Sequence, residues 1–380
     1  MRKGEWMKHR RYWVGAFAAL ALTGVVWAAA GAVASPAKHS KAAATKVTLQ
    51  LKWVTQAQFA GYYAAKAKGY YRQAGLDVKI RVGGPDITPE QVVAGGQAEF
   101  GLDWLPSLLA FRDKGTKLIN IAQVFSRSGM TQLTWKDSGI DTIAKMRGKK
   151  VGNWLLGNEY ELFAALVRAG MDPANNKGVT IVKQPFDMNL FMSRQIDSAS
   201  AMTYNELAQV LETKNPKTGK LTKLSELNVI KMQSIGTGML EDGIFTTEKW
   251  IKDKGHQAIA KKFLAASFRG WIWCRDHAAD CVKTVLQQGP TLLGGHQKWQ
   301  MNEINALIWP NKLGIGIMDK AGYARTAKIA KQFGAIKKAA SGAYRDDLAK
   351  AAVAQLKRQG LDVNGKKWKK AVVKVTEGGK

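Results

Sequence analysis

Short apolar strands alternate with helices from residue 47 to about residue 250, and this alternation is the feature that most constrains the fold. Val47, Leu49 and Leu51 lie at every second position, as in a strand with one apolar face. Similar patterns recur between helical stretches, in the segments LDVKIRV, AEFGL, LINIAQVF, GKKVGNW, VTIVKQ and SASAMT. Because strands that are joined through helices run parallel, we predict an α/β fold with largely parallel sheets.

The alternation falls into two sets that are separated near Gly129. Residues 47–129 carry the first set and residues 130–235 the second, while residues 236–380 return to one strand and are then nearly all helical. We predict two α/β lobes, of which the first is interrupted by the second and completed by residues 236–380. A chain of 380 residues with 46% hydrophobic content can fill a core in each lobe.

Residues 1–34 have the composition of a signal peptide. Five basic residues precede an uncharged apolar run from Tyr12 to Ala34, and Ala32 and Ala34 are spaced as a cleavage site before Ser35. We expect cleavage there and a periplasmic protein. The alternative is an uncleaved membrane anchor, because about 20 apolar residues span a bilayer. Residues 35–46 are rich in Ala and Lys and are predicted to form a flexible tether.

The chain is strongly basic, with a formal net charge of +29. Removal of residues 1–34, which carry five Lys or Arg and one Glu, lowers this charge only to +25. Such a charge would suggest a nucleic-acid partner for a cytosolic protein. Export argues against that, and the Lys residues are scattered along the chain. We therefore expect a solvated basic surface and no nucleic-acid partner, with attraction to anionic lipid headgroups as the alternative.

The chain has two cysteines, Cys274 and Cys281. On one unbroken helix they would lie about 10 Å apart, which is too far for a disulfide. They can pair only if the helix breaks between them, and residues 276–280 are the candidate break. We expect the bond in an oxidising compartment. His277 is interpreted as a surface residue and no metal site is predicted, because no further His or Cys lies close in sequence.

Residues 51–71, LKWVTQAQFAGYYAAKAKGYY, resemble the opening of the SsuA/THI5-like family, the ABC-transporter substrate-binding proteins grouped with the fungal thiamine-pyrimidine synthases. The resemblance continues in order through GLDV, GGQAEFGLDW, GKKVG and AMTYNELAQVLE. It implies a periplasmic-binding-protein type II fold with two crossovers between the lobes. It also implies a solute-binding protein with an inner-membrane permease as partner. Bacterial relatives bind thiamine pyrimidine precursors, riboflavin or related heterocycles, and we expect a monomer with such a ligand.

Candidate ligand-binding residues lie near the predicted strand ends. Ligands of open α/β sheets bind beyond the carboxyl ends of the strands, where aromatic rings offer stacking faces and carboxylates or amides offer hydrogen bonds. The candidates are Trp53, Gln58, Asp103, Trp104, Asn158, Tyr204, Asn205 and Glu206. Two carboxylates in the cleft would repel sulfonate, nitrate or phosphate, and would suit the N–H groups of an aminopyrimidine or a flavin.

Several candidates also have a purely structural interpretation. Trp53 could be an ordinary core residue, and Asp103 could cap the helix that follows it. Asn158 and Glu161 have the spacing of a capping box, so Asn158 is expected to be a helix cap. Glu206 is predicted in a first helical turn, where the helix dipole favours a carboxylate without any ligand.

The fungal synthases raise an enzymatic alternative. The resemblance implies that they hold pyridoxal phosphate through a lysine and place a histidine one turn later, in the segment matching GLDWLPSLL. This sequence has Asp103 and Ser107 at those positions. An aspartate cannot form a Schiff base, so we expect neither enzymatic activity nor a cofactor. A membrane-tethered ligand sensor is a further alternative, which would require residues 1–34 to be retained.

Overall fold

Residues 43–380 are described by a computed structural model, and residues 1–42 lie outside the described part of the chain. The predicted signal segment and most of the predicted tether fall in that outer part. The first strand begins at Thr45, so the prediction that the tether extends to residue 46 is wrong. Thr45 and Lys46 are already paired with Leu76 and Asp77 of the neighbouring strand.

Ten strands form two five-stranded sheets within residues 43–380. The first sheet has the order β2-β1-β3-β10-β4, and the second has the order β7-β6-β8-β5-β9. The strands of the first sheet are β1 (Thr45–Gln50), β2 (Leu76–Arg81), β3 (Phe100–Trp104), β4 (Leu118–Gln123) and β10 (Asp242–Thr247). Those of the second sheet are β5 (Met130–Trp135), β6 (Lys150–Asn153), β7 (Thr180–Lys183), β8 (Ser198–Met202) and β9 (Leu227–Lys231).

Four strands of each sheet point one way and one points the opposite way. Strand β10 is antiparallel to β3 and β4, and β5 is antiparallel to β8 and β9. The prediction of an α/β fold with largely parallel sheets is thus confirmed. Each reversed strand is the first strand after the chain crosses from one sheet to the other. Because it runs opposite to its neighbours, it begins at the edge of the sheet where they end.

Helices connect the strands and make up most of the chain after β10. In residues 43–380 they are α1 (Ala60–Ala67), α2 (Tyr70–Gln73), α3 (Pro89–Ala94), α4 (Leu105–Asp113), α5 (Tyr160–Arg168), α6 (Asn189–Met192), α7 (Glu206–Leu211), α8 (Met232–Ile235), α9 (Glu248–Lys252), α10 (Lys254–Asp276), α11 (Ala278–Gln288), α12 (Gly294–Ile308), α13 (Lys320–Gln332) and α14 (Asp347–Arg358). None of these described helices combines the length and apolar character that a membrane span requires.

Helices α1 and α10 pack closely because each contributes a glycine to the contact. A Cβ atom at Gly61 would lie 2.2 Å from Cδ2 of Trp271, and one at Gly270 would lie 2.0 Å from the carbonyl oxygen of Gly61. The indole of Trp271 is fully buried in this contact. Any side chain at either glycine would force the two helices apart.

The two segments in which the chain crosses between the sheets, residues 124–129 and 236–241, are bonded to each other. Glu241 Oε1 accepts hydrogen bonds from the main-chain N–H groups of Gly129 (2.7 Å) and Met130 (3.1 Å). Glu161 of α5 accepts hydrogen bonds from Ser128 Oγ (2.7 Å) and the N–H of Met239 (3.0 Å). Burial raises the pKa of Glu161 to about 8. Burial, together with repulsion by Glu161, raises the pKa of Glu241 well above its usual range.

Cys274 and Cys281 form a disulfide, with their Cα atoms 5.0 Å apart. Helix α10 ends at Asp276 and α11 begins at Ala278, with His277 between them in a non-helical conformation. The helix break on which the expected pairing depends is present in the chain.

Candidate functional site

A cavity of about 390 Å³, part of it open to solvent, lies between the strand ends of the two sheets. The residues following β1 and at the end of β3 form one wall, and residues near the ends of β6, β7 and β8 form the other. The lining residues are Lys52, Trp53, Gln56, Gln58, Trp104, Trp154, Asn158, Phe186, Met202, Tyr204, Asn205 and Glu206.

Seven of the eight residues that we predicted from the sequence line this cavity, and the exception is Asp103. Their role in binding a ligand stays a prediction. Strand β1 stops at Gln50, and Trp53 lies in the loop that follows it. Trp53 is only partly buried, and its ring lies 4.3 Å from that of Phe186, centroid to centroid, on the opposite wall.

Asp103 lies inside β3 and is buried. Its carboxylate forms an ion pair with Lys52 and accepts the N–H of Trp104 at 2.6 Å. It does not cap α4, which begins at Leu105 without a side-chain cap. Burial alone would lower the pKa of Lys52, but the neighbouring charge and hydrogen bond of Asp103 raise it above its ordinary value.

The ion pair corrects our prediction that two carboxylates act on a ligand in the cleft. Lys52 itself lines the cavity and matches the charge of Asp103, so Asp103 contributes little net negative field there. Among the lining residues within 43–380, Glu206 is the one carboxylate. The expected exclusion of small anions therefore depends on Glu206 and on the apolar walls, and not on two carboxylates.

Asp242 orients two lining residues from behind the first wall. Its Oδ2 accepts a hydrogen bond from Gln58 Nε2 (2.9 Å) and its Oδ1 accepts one from Trp104 Nε1 (3.0 Å). Burial raises the pKa of Asp242 to about 6. Asp242 is the first residue of β10, and the reversed direction of that strand brings its start to the edge where β3 ends.

Glu206 folds back onto the end of β8. Its Oε2 accepts the N–H of Met202 (2.9 Å) and its Oε1 accepts a hydrogen bond from Asn205 Nδ2 (2.7 Å). Burial raises the pKa of Glu206, while these hydrogen bonds act against the rise. Because both oxygens accept hydrogen bonds, the geometry suits the ionised carboxylate.

The prediction that Asn158 caps a helix is wrong. Helix α5 begins at Tyr160 with Glu159 before it, and Asn158 Nδ2 instead donates to the carbonyl of Leu155 (2.8 Å). The preceding loop explains this, since Leu155 and Leu156 both have left-handed backbone angles, with φ of 62° and 56°. That turn directs the Asn158 amide back to the loop, and Glu161 binds the crossing segments instead of completing a capping box.

Sequence reasoning missed Lys52, Gln56, Trp154, Phe186 and Met202. Trp154 and Phe186 follow the ends of β6 and β7, so the strand-end rule could have found both. The indole Nε1 of Trp154 is buried and has no hydrogen-bond partner among residues 43–380. Nothing in the sequence marks Lys52, because its pairing with Asp103 joins residues that are far apart along the chain.

Solved structures with a similar fold include the alkanesulfonate-binding protein SsuA of Xanthomonas axonopodis pv. citri bound to MOPS. That likeness has a TM-score of 0.58 at 14% identity and covers 80% of this chain and 98% of that one, which establishes the periplasmic-binding-protein fold alone.

Among curated proteins, the riboflavin-binding protein RibY of Chloroflexus aurantiacus is 24% identical over 318 residues, covering 80% of this chain and 86% of RibY. A 4-amino-5-hydroxymethyl-2-methylpyrimidine phosphate synthase of Saccharomyces cerevisiae is 27% identical, but over only 28% of this chain and 32% of the synthase. The family profile described as NMT1/THI5 like matches residues 56–280. Since this match spans more than half of the chain, the protein belongs to the NMT1/THI5-like family.

Proposed function

We propose that the protein is an extracytoplasmic solute-binding protein of an ABC importer, which binds a small planar nitrogen heterocycle and delivers it to a membrane permease. The observation that carries the proposal is the cavity between the two sheets, which is lined by aromatic and polar side chains from both. A ligand in this cavity contacts both walls, so it favours the closed arrangement by the contacts it gains there.

The lining chemistry supports a flat ligand with polar edges. Trp53 and Phe186 offer ring faces on opposite walls, and stacking contributes about 0.5 to 1.5 kcal/mol beyond area burial. Glu206 offers an acceptor to ring N–H groups. The indole N–H of Trp154, which has no partner among residues 43–380, offers a donor to a ring nitrogen or carbonyl. Aminopyrimidines and flavins carry both kinds of edge. RibY is named for riboflavin and the yeast synthase for a pyrimidine, which agrees with this ligand class.

A thermal-shift assay tests the ligand class. We expect riboflavin or 4-amino-5-hydroxymethyl-2-methylpyrimidine to raise the melting temperature, and nitrate, taurine and phosphate to leave it unchanged, because Lys52 is already paired. Glu206→Gln should weaken binding by about tenfold or more, which is about 1.4 kcal/mol.

Glu303→Gln is the matched control for the Glu206 variant. Glu303 is also a buried carboxylate with a raised pKa, but it pairs with Lys370 and lies outside the cavity lining. Its substitution should leave affinity unchanged. Strong protection by a small anion, or no protection by either heterocycle, would overturn the proposed ligand class.

A pyridoxal-phosphate enzyme is the weaker candidate, because the yeast synthase aligns with only part of the chain. Lys52 is the one lysine that the described part of the chain contributes to the cavity lining. Its ion pair with Asp103 favours the protonated amine, which is a poor nucleophile for an aldehyde. Incubation with pyridoxal phosphate should therefore give no borohydride-stable adduct at Lys52.

A further inference from the structure

Helix α12 contacts both walls of the cavity. Gln300, which is fully buried, accepts a hydrogen bond from the main-chain N–H of Gln58 at 3.2 Å. Its Nε2 donates to Asn205 Oδ1 at 3.4 Å. Gln58 and Asn205 line opposite walls, so one side chain of α12 joins the two.

His296, at the start of the same helix, bonds to the second wall through both ring nitrogens. Its Nε2 lies 2.9 Å from Asn205 Oδ1, and its Nδ1 lies 2.9 Å and 3.1 Å from the two carboxylate oxygens of Glu212. Asn205 must present its oxygen to the ring, because its Nδ2 donates to Glu206. Both ring nitrogens thus face acceptors, which an imidazole satisfies only when each nitrogen carries a proton.

We infer that His296, in its doubly protonated form, is a positioning residue for the binding cavity. It holds Asn205, and through Asn205 the Glu206 carboxylate, in the orientation that faces the ligand. Loss of either proton places a nitrogen lone pair against an oxygen of Asn205 or Glu212. Ligand affinity then falls when the ring loses a proton. The inference depends on the proposed function, since it requires Asn205 and Glu206 to contact the ligand.

The other charged groups near the ring support this assignment. Glu212 and Glu206 lie at the two ends of α7, and burial raises the pKa of Glu206 while the charge of His296 acts to lower it. In the C-terminal segment, Glu377 is paired with Lys214, and the main chain of Lys380 lies beside Gly295. From the segment 56–59, the main-chain N–H groups of Ala57 and Gln58 donate to the side chains of Gln297 and Gln300 of α12. The ring charge therefore both orients Asn205 and favours an ionised Glu206.

The test compares His296→Gln and Glu212→Gln with a control variant, His256→Gln. His256 stacks on Trp250 and lies outside the cavity lining. The Kd of riboflavin and of 4-amino-5-hydroxymethyl-2-methylpyrimidine would be measured by calorimetry between about pH 6 and about pH 8.5, where an imidazole changes charge. We expect wild-type and His256→Gln affinity to fall about fivefold or more as pH rises, which corresponds to about 1 kcal/mol.

His296→Gln and Glu212→Gln should behave differently from each other. In His296→Gln the affinity is weakened already at the lowest pH, and the part of the pH dependence that the ring supplies is lost. In Glu212→Gln a neutral ring can accept from the new amide and still donate to Asn205, so affinity stays high throughout. A His296→Gln profile parallel to that of the wild type would overturn the inference.

A ligand-free measurement separates this inference from the proposed function. In protein with ¹⁵N-labelled histidine, we expect the His296 ring, identified by its absence in His296→Gln, to show two protonated nitrogens at the pH where ligand affinity is highest. At the same pH we expect the His296 ring of Glu212→Gln to show one. A neutral wild-type ring over the whole range contradicts the inference. If neither riboflavin nor the aminopyrimidine binds the wild-type protein, the ligand proposal fails. A change in the Asn205 side-chain amide signal in His296→Gln still decides whether His296 holds Asn205.

Discussion

The rings of Trp53 and Phe186 meet across the cavity, with centroids 4.3 Å apart and planes tilted by 60°. Trp53 follows β1 of the first sheet and Phe186 follows β7 of the second. This contact therefore joins the two walls directly. A flat molecule that enters between the rings exchanges one aromatic contact for two, which is how the cavity can favour planar ligands.

Replacing Trp53 with Ala should weaken riboflavin or aminopyrimidine binding by about tenfold, or about 1.4 kcal/mol. The melting temperature should change little, because Trp53 is only partly buried and lies in a loop. Calorimetric titration and a thermal scan of the same sample would measure both quantities.

Trp250→Ala is the control for this change, since Trp250 is also partly buried but lies outside the cavity lining. It should leave affinity unchanged whatever it does to stability. Unaltered affinity in Trp53→Ala, together with a large loss of stability, would identify Trp53 as a core residue.

The Lys52–Asp103 ion pair gives a prediction about stability. Lys52→Met leaves the buried Asp103 carboxylate without its partner, so we expect the free energy of unfolding to fall by about 3 to 5 kcal/mol. The double variant Lys52→Met with Asp103→Asn should recover most of this loss. Urea unfolding measures both, and equal losses in the single and double variants would contradict the prediction.

The buried carboxyl groups beside the crossing segments predict how stability varies with pH. The pKa of Glu161 is raised to about 8 in the folded protein, so the folded state holds a proton that the unfolded state releases. The contribution of Glu161 to the free energy of unfolding is therefore fully present below about pH 4.5 and is lost as the pH rises towards 8. Asp242, with a pKa of about 6, acts in the same direction.

Glu161→Gln should flatten this dependence, because an amide can keep the contacts to Ser128 and Met239 without titrating. Urea midpoints between about pH 5 and about pH 8 would show a smaller slope than in the wild type. A slope identical to that of the wild type would mean that Glu161 does not bind the proton.

The disulfide closes a short loop, and its reduction should lower the free energy of unfolding by about 2 kcal/mol. Denatured, non-reduced protein should take up no thiol reagent. The Cys274→Ala, Cys281→Ala variant should be insensitive to reductant, and thiol labelling of the non-reduced wild type would refute the bond.

The strand-end rule located most of the cavity because it depends on local pattern and on the general architecture of parallel sheets. Trp104 and Tyr204 follow from this rule alone. The rule failed for Asp103, which looks like a site residue in sequence but has its charge matched by Lys52. It also failed for Asp242, because a strand that begins at the site can be recognised only after its direction is known.

Local helix signals were the less reliable part of the sequence reasoning. Asn158 and Glu161 have capping-box spacing, yet Glu161 accepts hydrogen bonds from Ser128 and Met239, which lie far from it in sequence. A buried main-chain N–H needs an acceptor wherever one can be supplied, and this requirement overrides a local preference. Such long-range pairings cannot be predicted from the periodic pattern of residues in a sequence.

The position of β10 has a consequence for synthesis on the ribosome. Among the strands described within residues 43–380, β4 pairs only with β10, which lies between it and β3. Isolated bridges also join β4 to Gly316 and Tyr344, which come later still in the chain. The five strands of the second sheet are consecutive in the chain, so that sheet can be completed by a nascent polypeptide while β4 still waits for residues 242–247. Until they emerge, β3 and β4 both present open edges. The nascent chain is thus most exposed to wrong strand pairing at β3 and β4 of the first sheet. We expect cellular holdases to bind the nascent chain at these strands.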